Sequence, residues 1–142
     1  MSRTDAVRAL VRMTRVLERD CGDLGLAHYR VLAAVADGAE RASRVARRLA
    51  LGKPTISASV DALVRRGLLV RGDVAEDARA SALRLTADGA RALAEIELAM
   101  GARLAAVLAH TADPARVRAA LAELGPALDA YATVVAAERV RG

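Results

Sequence analysis

Residues 41–86 read RASRVARRLALGKPTISASVDALVRRGLLVRGDVAEDARASALRLT, and their pattern decides the fold. The stretch reads as helix, short turn, helix, then a two-stranded hairpin with a charged tip. Gly52-Lys53-Pro54 opens the second helix. Proline fits there because an N–H in the first turn would have no helical partner anyway. Ile56, Val60, Leu63 and Val64 then form one apolar stripe. Thr55, Ser57, Ala58 and Ser59 fall mainly off it. A helix that enters a major groove needs such short side chains, hydroxyls that meet base edges or phosphates, and a dipole that favours phosphate. The plainer reading is a surface helix whose serines face water.

The helix before it is a brace. Ser43 is its expected N-cap. Ala42, Val45, Ala46 and Leu49 face inward, and Arg44 and Arg48 share the outer face four residues apart. Leu51-Gly52 makes the turn. Helix, glycine-containing turn and helix is the helix-turn-helix pattern. After Gly67, Leu68–Arg71 and Ser81–Leu85 are the expected strands of a wing, with Gly72–Ala80 as its loop. Arg79 at the tip suits a narrow minor groove, and Asp77 would hold an arginine in place. An ordinary solvated hairpin is the competing reading.

Between residues 41 and 71 there are eight cations and one acid, Asp61, a net +7 against +5 for the whole chain. Charge focused on one module is the footprint of a nucleic-acid face. The chain has 142 residues, a one-domain length, and is 54% hydrophobic but only 1% aromatic. Alanine, leucine and valine make up most of the apolar content; alanine and leucine favour helices, and small side chains bury little area each, which points to a partner chain completing the core. No apolar run approaches the roughly 20 residues of a membrane span, and the N-terminus has no signal-peptide centre. A cytoplasmic protein is expected. The single cysteine, Cys21, agrees with a reducing compartment and offers no electropositive setting for redox sensing.

The run from Leu24 to Leu93 resembles the winged-helix core of the multiple-antibiotic-resistance regulator (MarR) family. The resemblance lies in HYRVLAAVADG at 28–38, the run from Arg41 to Arg71, and EDARASALRLTADGARAL at 76–93. The sequence departs from the family pattern at Ala78, where a first wing arginine is common. Gly52 stands in place of a serine cap, and Glu40 in place of an apolar residue. The resemblance implies a mostly α fold with a small β-hairpin wing. The winged helix-turn-helix head spans residues 24–93, and both termini, residues 2–21 and 87–140, supply dimerisation helices to a single domain of residues 1–142.

By resemblance, the function is that of a homodimeric transcriptional regulator, a repressor on a near-palindromic operator in double-stranded DNA, released by a small-molecule effector. Two recognition helices would then meet major grooves about 34 Å apart. The residues assigned to DNA are Ser43, Arg44, Arg48, Lys53, Pro54, Thr55, Ser57, Ala58, Arg65, Asp77 and Arg79. Met13, His28 and Tyr29 lie near where family members hold phenolic effectors. His28 and Tyr29 also read as a surface residue and a core residue. Two histidines and one cysteine have no metal-ligand spacing, so neither metal nor cofactor is expected. No phosphate loop, nucleophile triad or HExxH motif supports an enzyme. The alternative from another class is a helical dimer that binds a ligand or protein without DNA.

Further along, Thr86 is the expected cap of a long helix, and Asp113-Pro114 the start of the last one. Gly125-Pro126 is expected to kink or break that last helix, since proline removes a hydrogen bond and crowds the Ala122 carbonyl.

Overall fold

Six helices and one hairpin follow in order in a computed structural model, which describes residues 1–72 and 82–142. The helices are α1 (Arg3–Glu18), α2 (Gly25–Ala36), α3 (Ala42–Leu49) and α4 (Lys53–Arg65), then α5 (Ala87–Leu108) and α6 (Pro114–Arg141) after the hairpin. The hairpin joins β1 (Leu69–Gly72) to β2 (Ala82–Leu85) in antiparallel register, with Leu69 opposite Leu85 and Arg71 opposite Leu83. A 3-10 turn, Arg19–Cys21, follows α1. Strand β1 begins one residue later than the sequence implied. The hairpin loop with Asp77 and Arg79 lies outside the described residues.

The core belongs to the head. Val31, Leu32 and Val35 of α2 meet Val45 of α3, Ile56, Val60 and Leu63 of α4, and Leu69 and Leu83 of the hairpin. Burying an aliphatic side chain of this size stabilises by about 1.5–3 kcal/mol. The three buried residues of α4 therefore fix which face of that helix is left for solvent. Gly67, at φ 74°, ends α4 in the left-handed region. Its N–H reaches the Val64 carbonyl at 3.0 Å, and the Leu68 N–H reaches Leu63 at 3.0 Å. This paired closure turns the chain directly into β1.

Thr86 locks the other end of the wing. Its hydroxyl donates to the Gly67 carbonyl at 2.6 Å and accepts from the Gly89 N–H at 3.0 Å, which caps α5. Gly89 is buried, and a Cβ there would run into the Leu68 carbonyl. Glu40 has its own explanation. Its backbone carbonyl accepts from the Leu83 N–H at 2.6 Å, while the residue itself is exposed. Only the main chain is used, so no apolar side chain is needed at this position.

Three sequence expectations are corrected. Ser43 does not cap α3. The helix starts at Ala42, its N-cap is Arg41 in extended conformation, and no side chain bonds there. The turn before α4 rests on Ala50 at φ 53°, while Gly52 is extended at φ −67°. Pro126 does not break α6, which runs unbroken through it. Its neighbours are exposed, so water can reach the carbonyl that loses its donor.

The terminal helices are differently made. Neither α1 nor α6 has a buried residue. Val7, Leu10 and Val11 of α1 remain 55%, 47% and 65% exposed, and Leu128, Tyr131 and Val134 of α6 are exposed as well. Both helices are well started: Ser2 and Asp5 form a reciprocal cap on α1, and Asp113 accepts from the Arg116 N–H at 3.0 Å on α6. Arg103 of α5 holds Asp20 through two bonds of 2.8 and 3.0 Å, which ties the end of α1 to α5. No helix among the described residues is long and apolar enough to cross a membrane.

Candidate nucleic-acid interface

The stripe on α4 decides the surface. Ile56, Val60 and Leu63 are buried, and Lys53, Pro54, Thr55, Ser57 and Ala58 are all exposed. The residues expected off the stripe are therefore the ones facing solvent, at the N-terminal end of the helix. Gly52 is the N-cap there and no side chain closes that end. Backbone N–H groups and the positive end of the helix dipole are thus open beside the Thr55 and Ser57 hydroxyls. Small residues let the backbone come close to a flat or grooved partner.

Cations flank this face. Arg44 on α3, Lys53 at the start of α4 and Arg65 at its end are exposed. None of the three has an acidic partner within 4 Å among the described residues. Asp61, the one acid in the basic stretch, is engaged by Arg71 of β1 at 2.6 Å. That pair ties the wing strand to the flank of α4 and neutralises the one charge of the stretch that would repel phosphate. Ser43 is exposed on the first turn of α3, beside Arg44.

Arg48 is placed differently from the expectation. It is half-buried, 2.8 Å from Asp37 at the end of α2 and 3.5 Å from Asp129 on α6. Its guanidinium is a bridge between the head and the last helix rather than an open outward cation. Arg66 is likewise turned to Asp23, at 3.2 Å. These partners lie 11 to 81 positions away in the chain, and no local spacing signals them. Asp77 and Arg79 fall outside the described residues, so their roles rest on the sequence.

Met13 is half-buried on α1, and His28 and Tyr29 are half-buried at the start of α2. The Nδ1 atom of His28 is buried and has no hydrogen-bond partner among the described residues. The Tyr29 hydroxyl donates to Glu97 of α5 at 3.4 Å, and burial, then the Glu97 carboxylate, raises its pKa. Cys21 is 2% exposed. Burial raises its pKa, and Glu18 and Asp20 add to the rise, so the reactive thiolate is disfavoured. Among the described residues no three histidine, cysteine or acidic side chains gather as a metal site.

A model of the MarR family matches residues 23–80. A search of curated proteins finds no match. Solved structures with the same fold include the PcaV transcriptional regulator of Streptomyces coelicolor in complex with its natural ligand. It is 28% identical, with 87% of this chain and 89% of that one covered, at a TM-score of 0.66. Wild-type MarR of E. coli, in its apo form, is 19% identical over 87% of this chain and 94% of that one, at 0.71. A MepR mutant of S. aureus bound to an oligodeoxyribonucleotide is 16% identical over 90% and 99%, at 0.63. By the match over residues 23–80 and by fold, the chain is similar to the MarR family: a winged helix-turn-helix head flanked by helices from both termini, as in those solved structures.

Proposed function

We propose that the protein is a homodimeric repressor that binds a near-palindromic operator in double-stranded DNA and is released by a small-molecule effector, acting in the cytoplasm. One observation carries the reading. Helix α4 buries Ile56, Val60 and Leu63 of its aliphatic stripe and turns its short polar end outward, between cations that lack acidic partners among the described residues. Lys53, Thr55, Ser57 and Ala58 approach base edges and nearby phosphates. Pro54 sets the helix start, and Ser43, Arg44 and Arg65 hold the backbone. Arg79 enters the minor groove, with Asp77 steadying the tip.

Several features support the assembly and the effector. The uncovered apolar stripes of α1 and α6 are what two interlocking protomers would bury. The orphaned Nδ1 of His28, with Met13 and Tyr29 nearby in the chain order of α1 and α2, suits a polar contact to an effector. PcaV is described in complex with a natural ligand, and the MepR mutant with an oligodeoxyribonucleotide.

The test is fluorescence anisotropy on a labelled random duplex across a salt series, followed by selection of tighter fragments. A log–log slope set by several phosphate contacts is expected. A flat response would favour a ligand- or protein-binding dimer with an idle head.

A further inference from the structure

Lys53 is the single lysine among the 22 lysine and arginine side chains of the chain. The two kinds of cation differ in chemistry. An arginine guanidinium stays protonated in proteins, whereas a lysine amine can lose its proton and take an acyl group. The basic face therefore contains one position whose charge acylation can remove. That position is the first residue of α4, at the end of the helix turned to solvent.

The surroundings favour a small anionic reagent. Lys53 is exposed and has no acidic partner among the described residues. Arg44 and Arg65 are exposed on the same terms, and Asp61 is held by Arg71 at 2.6 Å. The local field thus has one sign, which raises the concentration of an anion beside the amine. The start of α4, with no side chain closing it, adds to this preference. Cys21, the one thiol, is 2% exposed and does not compete for an acyl group.

We infer that Lys53 is an acylation site whose acyl donor is a small acyl phosphate. The unprotonated amine attacks the acyl carbon. The bond from Nζ to that carbon forms, and the bond from the carbon to the phosphate oxygen breaks. Inorganic phosphate leaves with the electron pair, and one proton passes from the nitrogen to water. The product is a neutral amide, longer by one acyl group, within the positive face. Its effect on DNA rests on the function proposed above: the helix that meets phosphates loses a charge at its leading end.

The probe is acetyl phosphate on the full-length protein, without DNA. Trypsin cuts after arginine but not between lysine and proline. Residues 49–65 therefore stay in one peptide whether or not Lys53 is acylated, and mass spectrometry of that peptide reads the occupancy. The references are a synthetic peptide of the same residues and a neutral acetyl ester as second reagent. With acetyl phosphate, Lys53 in the folded protein should react about tenfold faster than in the peptide, and with the neutral ester no faster. The double variant Arg44→Ser/Arg65→Ser should lose this advantage; both arginines are exposed, and an unchanged thermal melt verifies the fold. Acetyl groups found only on the N-terminal amine, equal rates in protein and peptide, an equal advantage for the neutral ester, or an unaffected double variant overturns the inference.

Anisotropy with labelled duplex is run separately. The acetylated protein should bind about tenfold more weakly, with a salt slope lower by about one. Lys53→Arg should show the same affinity before and after treatment. Acetylated wild type that binds DNA undiminished overturns the inference. If the untreated protein ignores DNA, the repressor reading fails, while the acylation site stands on the mass measurement.

Discussion

Arg48 of the brace helix reaches Asp37 at 2.8 Å, across a gap between the end of α2 and the outer side of α3. A guanidinium held this way, with Asp129 on its other flank, has little freedom to meet a phosphate. Arg48→Ala should therefore change the salt slope of DNA binding less than Arg44→Ala, which should lower it by about one. Replacing both acids, Asp37→Asn with Asp129→Asn, should free Arg48 and steepen the slope. Anisotropy at four salt concentrations checks this; equal slopes for the two arginine variants would count against the tie.

The exposed end of α4 gives a sharper test. Ser57→Glu adds length and negative charge to the face proposed to meet DNA, without touching the core. DNA affinity should fall by at least a hundredfold, while the thermal melt stays within the small range of surface changes. Retained affinity would remove α4 from the interface.

The proposed dimer gives a test at α1. Val11 is 65% exposed in the protomer, within an apolar stripe that includes Val7 and Leu10. Val11→Glu should shift the protein from dimer to monomer in light scattering coupled to gel filtration. A wild-type monomer, or a dimer that survives the change, would exclude α1 as the contact.

The turn before α4 carries a conformational cost. Ala50 sits at φ 53°, where an L side chain is disfavoured by about 1–2 kcal/mol. Ala50→Gly should stabilise by about 1 kcal/mol, after the entropy glycine restores to the unfolded chain. Urea denaturation measures it, and a lower midpoint would contradict the strain.

Asp20 links pH to the attachment of α1. Its hydrogen bonds to Arg103, opposed by partial burial, hold its pKa below the usual carboxylate range. A depressed folded-state pKa means the contribution is present above the unfolded value and fades as pH falls through the folded one. Asp20→Asn should thus be less stable than wild type at neutral pH, and the difference should shrink in acid. A gap that is constant with pH would rule out ionisation as the cause.

The head was largely legible in the sequence because its helices obey a local period. Ile56, Val60 and Leu63 are buried as the stripe implied, and Thr55, Ser57 and Ala58 are exposed. The caps Thr86 and Asp113 were readable for the same reason: each acts within three residues. Ser43 misled because Arg41, not Ser43, has the extended backbone that a cap requires. The left-handed residue of the turn was hidden by the nearby glycine, since Ala50 carries no mark of its conformation. The ties of Arg48, Arg66 and Arg71 were invisible because their acids come from other elements. At Pro126 the expected break is absent, because a helix can continue past a proline where the carbonyl that loses its donor is open to water.

The bond between the Glu40 carbonyl and Leu83 uses only the main chain, and the exposed Glu40 side chain at the foot of the wing has no ion pair or hydrogen bond among the described residues. Since the chain's one native thiol, Cys21, is sealed inside, a cysteine placed at position 40 would be the sole accessible handle for a dye. The molecule is thereby ready for distance spectroscopy between the two hairpins of the proposed pair, with no need to strip out native chemistry first.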